Sequence, residues 1–158
     1  MDAAIQRYYC SVPLVPEYKD RFLLTTGKAV TNDIAAPEAV LHAAFESIIE
    51  GDFDAFGRSV TDDVELNIRG FGPLDGTWRG RDEVVAATRK NFAMVAEQKP
   101  EIENIISQGD RIACLLRESG FFKANGQPYS VRGVQWFTFA DGKIKKIDEI
   151  IASSPHDR

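Results

Sequence analysis

The chain has 158 residues, 44% of them hydrophobic and 27% charged, with a net charge of −5. That length closes one core and is too short for two domains. The acidic balance repels a phosphate backbone, and Lys143, Lys145 and Lys146 make a short cluster rather than a stripe, so no nucleic-acid partner is expected. No apolar run approaches the roughly 18 residues of a membrane span, so no membrane partner is expected either.

Residues 1–34 read as an N-terminal arm. The stretch YYCSVPLVPEYKDRFLLTTGKAVTND carries two prolines, adjacent tyrosines and no sustained period. It suits a strap over a pocket mouth or a partner subunit, or an extension with no chemistry. Cys10 and Cys114 are far apart without a C-x-x-C, and MDAAIQRYYC lacks the continuous apolar core of a leader, which predicts a cytoplasmic protein with reduced thiols.

The regular domain is expected over 35–153, with 154–158 as a polar tail. Pro37 suits a first helical position, and Leu41, Phe45, Ile48 and Ile49 follow at helical spacing up to Gly51. Asp52 caps a short second helix containing Phe53 and Phe56, closed by a turn at Thr61–Asp62–Asp63. The period then becomes two, with Val64, Leu66 and Ile68 on one side of a strand. After GTWRG, Asp82 caps a third helix with Val85, Thr88, Phe92 and Val95 on one face, ending near Pro100. Strands follow at about 102–107, 111–122 and 128–139, and a last one after Asp141–Gly142. Helices first and an antiparallel meander afterwards make the class α+β.

Alternation assigns faces to the meander. One side carries Ile112, Cys114, Leu116, Glu118, Gly120 and Phe122, then Tyr129, Val131, Gly133, Gln135, Phe137 and Phe139, then Ile147, Glu149 and Ile151. Glu118, Gln135 and Glu149 thus converge among hydrocarbon, as polar groups do in an apolar pocket. The opposite side carries Leu115, Val134, Trp136 and Ile150, which predicts a homodimer packed through Trp136.

The ordered segments GDFDAF, TDDVELNI, GTWRGRDEV, DRIACLLRESG, NGQPYSVRG and FADGKIKKIDEI resemble the SnoaL-like branch of the fold named after nuclear transport factor two. The resemblance covers about residues 36–152. It implies a cone-shaped curved sheet closed by about three N-terminal helices, frequent dimers and a deep pocket. The superfamily includes ketosteroid isomerases, polyketide cyclases and limonene epoxide hydrolase, as well as binding and assembly domains, so fold does not settle function. Against ketosteroid isomerase, Ile68 stands where the aspartate base would be, Ala44 replaces the oxyanion tyrosine, and Gln135 takes the place of a protonated aspartic acid. That isomerase mechanism is excluded. Against limonene epoxide hydrolase, Glu118 and Glu149 occupy the positions of the two aspartates, but the orienting arginine falls at Leu116, and Arg117 faces the other way.

Two carboxylates in one apolar site cannot both ionise cheaply, which suits general acid–base chemistry. Glu118 and Glu149 are the candidate acid and base, and Gln135 the candidate donor to developing oxygen charge. The alternative is that the two glutamates hydrogen-bond each other or the backbone and merely specify the interior. Tyr129, Trp78, Phe45, Ile68, Phe122 and Phe137 are the candidate contacts for a small hydrophobic molecule. Tyr129 lines the pocket or rims it, and Trp78 is an aromatic wall or a packing residue. His42 and His156 have no ligating partner in the sequence pattern, and Gly70 and Gly72 make only G-x-G, so neither metal nor organic cofactor is expected.

Overall fold

The computed structural model describes residues 36–153; the expected arm and tail lie outside the described residues. Helix α1 runs Pro37–Glu50, with Pro37 in its first turn and Gly51 closing it at φ 75. There Gly51 donates its N–H to the carbonyls of Ile48 and Ser47, a left-handed cap that glycine adopts without a Cβ penalty. Helix α2, Phe53–Arg58, starts as expected with the Asp52 carboxylate accepting from the Ala55 N–H at 2.8 Å. Helix α3 spans Arg81–Met94.

Helix α3 differs from the sequence expectation at both ends. Gly80 rather than Asp82 is its N-cap, and Glu83 reaches back to accept from the Arg79 N–H at 3.1 Å. The helix stops at Met94, well before Pro100, although Ala96, Glu97, Gln98 and Lys99 are good helix formers or tolerant of helix. Strand pairing overrides that propensity: Val95 lies opposite Phe122, and the Lys123 N–H donates to the Met94 carbonyl. Its buried face is also rotated, with Val84 and Ala87 innermost and Val85 and Thr88 half-buried.

Strands are β1 (Val60–Arg69), β2 (Gly76–Arg79), β3 (Val95–Gln108), β4 (Arg111–Phe122), β5 (Pro128–Ala140) and β6 (Lys143–Ser153). The residues read as a turn, Thr61–Asp62–Asp63, belong to β1, whose pairing with β6 shifts register between Val60 and Glu65. The order β2-β1-β6-β5-β4-β3 makes one curved, unclosed sheet. Every neighbouring pair is antiparallel except β1 with β6, so the sheet is mixed. That parallel pair returns the last strand to the middle of the sheet and sets Ile68 beside Glu149.

The core has two parts. The larger joins the inner face to the helices through Leu41, Phe56, Val64, Val84, Ile112 and Ile144. The smaller, Val95, Tyr129 and Val131, is packed by Phe71, Phe122 and Ile151. On the back of the sheet Val134, Trp136 and Ile150 remain 40%, 42% and 67% exposed.

Candidate functional site

Ile112, Cys114 and Leu116 of β4, Tyr129, Val131, Phe137 and Phe139 of β5, and Ile147 of β6 are all buried. Glu118, Gln135 and Glu149 continue the same alternation, so strand parity places all three on the inner face, as the sequence predicts.

They do not form one cluster. Glu149 lies directly opposite Gln135 on β5 and beside Ile68 on β1. Glu118 lies opposite Val131, four residues along β5 from Gln135. On regular sheet geometry that separates their backbones by roughly 13 Å along the strands and roughly 10 Å across them. Each carboxyl accordingly has its own partners, and the expectation that they hydrogen-bond each other is not met.

At the first position, burial pushes the Glu149 carboxyl up from 4.5 to about 7. The Gln135 amide partly opposes this, and the negative charge of Glu118 adds to it. The Gln135 Oε1 atom is buried without a hydrogen-bond partner. A neutral Glu149 has a proton to donate and the orphaned oxygen is an acceptor, so the pair is complementary in its protonated form. Phe137 is buried next to it in sequence parity and meets Phe45 edge-on, with ring centroids 5.9 Å apart. Cys114, across from Gln135, is an inert thiol here: burial pushes its pKa up to about 11.

At the second position, Tyr129 Oη donates to Glu118 Oε1, and Gln98 Nε2 donates to the same oxygen at 3.2 Å. Burial first, and the bond to Glu118 second, hold the Tyr129 phenol well above its ordinary pKa. Phe71, Phe122 and Tyr129 form a triangle of rings with centroids 5.8, 5.7 and 5.1 Å apart. Tyr129 therefore lines the inner face beside Glu118; its 8% exposure argues against a rim position.

Of the other expected contacts, Ile68 and Phe137 stand at the Glu149 end and Phe122 at the Glu118 end. Trp78 sits on β2, two strands from Glu149, with its ring folded over Gly76 so closely that a Cβ there would fall 2.4 Å from it. It packs against the main core, which is the packing role. Arg117 faces the back of the sheet and pairs with Glu101 at 2.6 Å, so it does not join the acids.

Two residues of the second position were not identified in sequence. Gln98 falls in a segment whose composition suits a helix; β3 is irregular between Ala96 and Lys99, Glu97 takes φ 52, and the bulge aims Gln98 at Glu118. Phe71 carried a faint signal, being flanked by Gly70 and Gly72, whose φ values are 94 and 62.

Open hollows lie on outer surfaces. One, of about 570 Å³, runs between α2 and α3; another, of about 620 Å³, is lined by Asn67, Val134, Trp136 and the Asp148–Ile150 segment. Among the described residues no group of three or more His, Cys, Asp or Glu side chains is arranged to hold a metal. No helix among them is long and apolar enough to cross a membrane.

A sequence comparison with curated proteins finds no match. Solved structures do match. An NTF2-like protein from Burkholderia xenovorans is 22% identical, covers 73% of this chain and 88% of its own, and superposes with a TM-score of 0.65. A putative isomerase from Rhodopseudomonas palustris is 17% identical over 75% of this chain and 91% of its own, with a TM-score of 0.66. An LEH-like epoxide hydrolase from M. tuberculosis is 16% identical over 73% of this chain and 82% of its own, with a TM-score of 0.61. At these identities the likeness is one of fold. Solved NTF2-like proteins share the fold, and residues 38–147 match the SnoaL-like domain family, so the chain belongs to that family.

Proposed function

We propose that the protein is an enzyme carrying out cofactor-free acid–base chemistry on a small, oxygenated, mostly hydrophobic molecule, in the manner of an isomerase, cyclase or hydrolase. The observation that carries this reading is the Glu149–Gln135 pair. A carboxyl is set on the inner face between Ile68 and an amide whose buried oxygen has no partner. Near neutral pH such a carboxyl exists in both forms, so it serves as a base toward a C–H beside a carbonyl, or toward water, and then returns the proton as an acid. The Gln135 amide N–H stabilises the oxygen charge that develops. Glu118 has a different part: with two donors fixed on one oxygen it anchors, while Glu149 transfers the proton. The fold is also found in a putative isomerase and an epoxide hydrolase, which supports the class of chemistry and no particular substrate.

The test is a screen of enolisable ketones and epoxides for solvent deuterium exchange or hydrolysis, repeated with Glu149→Gln. Activity lost in that variant, with the fold retained, supports the reading; activity that survives it removes the reading. A ligand held without turnover would identify a binding module instead.

The exposed apolar strip of Val134, Trp136 and Ile150 favours a homodimer through the back of the sheet in a cytoplasmic protein. Sedimentation of the wild type and of Trp136→Arg tests it: a dimer that becomes a monomer is expected, and a monomeric wild type excludes it.

A further inference from the structure

Glu118 is hydrogen-bonded on one side only. Tyr129 Oη and Gln98 Nε2 both reach Oε1, and among the described residues no donor reaches Oε2. Glu118 itself is only half-buried. A carboxylate accepts about four hydrogen bonds, about two per oxygen. The internal donors therefore fill one oxygen, fix the plane of the carboxylate and, among the described residues, leave the other open to a further donor.

The local backbone is shaped to make this clamp. The β3 bulge, with Glu97 at φ 52, brings the Gln98 amide over Glu118. Gly120 lies opposite Tyr129, and a Cβ on it would meet the Ala96 carbonyl oxygen at 2.8 Å and the Tyr129 hydroxyl at 3.0 Å. Only glycine leaves the phenol free to lie where it reaches Glu118. Beside the carboxylate stand the rings of Phe71, Phe122 and Tyr129, a surface suited to the face or edge of another ring.

We infer that Glu118 Oε2 is a recognition point for a hydroxyl group borne on a flat ring, so that the substrate is a cyclic compound with a hydroxyl at one end and its reacting oxygen function at the other. This rests on the reading that Glu149 transfers the proton, but it concerns binding and is tested without turnover. Gln98 and Tyr129 are then positioning residues, acting through Glu118.

The probes are para-hydroxyacetophenone and para-methoxyacetophenone, which differ in whether the far end donates a hydrogen bond. Dissociation constants are measured by ligand-observed NMR. The wild type is expected to prefer the hydroxy compound by about ten-fold or more, the worth of one hydrogen bond to a charged acceptor. Glu118→Gln keeps an acceptor for Tyr129 but turns an amide N–H outward, so the preference should vanish or invert; Glu149→Gln should keep it. Gln98→Leu gives a second reading if Glu118→Gln does not fold: the preference should fall several-fold, with thermal stability reported alongside. Equal binding of the two probes by the wild type, binding of neither, or a preference unchanged in both Glu118→Gln and Gln98→Leu overturns the inference. If the preference behaves as expected while Glu149→Gln retains full turnover, the recognition point stands and the proton-transfer reading falls.

Discussion

Replacing Glu149 by glutamine should change how stability depends on pH, and the size of the change follows from the site. Burial raises this carboxyl from 4.5 to about 7, helped by Glu118 and opposed by Gln135. Below pH 4.5 the folded and unfolded chains both hold the proton. Between 4.5 and about 7 only the folded chain holds it, so its stability falls as pH rises. Above that window both forms are ionised and the loss is complete. At about 1.36 kcal/mol per pH unit the loss comes to about 3 kcal/mol. Glutamine has no proton to lose. Urea unfolding of the wild type and Glu149→Gln at several pH values between 4 and 9 should therefore show a difference that grows by about 3 kcal/mol across the window, in favour of the variant at high pH. Groups that do not interact with Glu149 contribute equally to both proteins and cancel. Two stability curves that stay parallel from acid to alkaline pH would refute the placement of a desolvated carboxyl at this position.

Two further outcomes concern the surroundings. Tyr129 is held un-ionised by burial and then by its bond to Glu118, so phenolate absorbance of the wild type and Tyr129→Phe should coincide up to about one pH unit above the ordinary tyrosine value near 10 while the fold persists. A missing phenolate in the variant within that range would contradict it. Gly133→Ala should destabilise by about 1–3 kcal/mol, because its Cβ would lie 2.8 Å from the Ile150 carbonyl oxygen in the adjoining strand. Gly109→Ala, where φ is +62 and no atom stands within 4 Å, should lose only the conformational term of about 1–2 kcal/mol. Equal and negligible losses at both would remove the close strand approach at Gly133.

Strand parity was legible because β4 and β5 alternate: buried Ile112, Cys114 and Leu116 on the first, and Tyr129, Val131, Phe137 and Phe139 on the second, set the faces of the residues between and beside them. The Asp141–Gly142 and Asn125–Gly126 turns fixed the hairpins in the same way. The mixed character of the sheet was not legible, because the β1–β6 pairing joins residues about 80 positions apart and leaves no local signature. The same holds for the division of the acids into two positions. Alternation shows which face Glu118 and Glu149 share, whereas their separation depends on register between strands, and one donor to Glu118, Gln98, comes from a bulge in a segment whose composition reads as helix. Tyr129 was identified, but its partner was not, since cross-strand neighbours Gly120 and Tyr129 had to be paired before the phenol could be directed at Glu118.

The most direct measurement is the titration of the Glu149 side-chain carboxyl by carbon-detected NMR, assigned by comparison with Glu149→Gln. The account predicts a midpoint near 7 that moves down when Glu118 is replaced by glutamine, because one negative charge is gone. A midpoint near 4.5, insensitive to Glu118, would show a carboxyl in contact with bulk water and contradict the site.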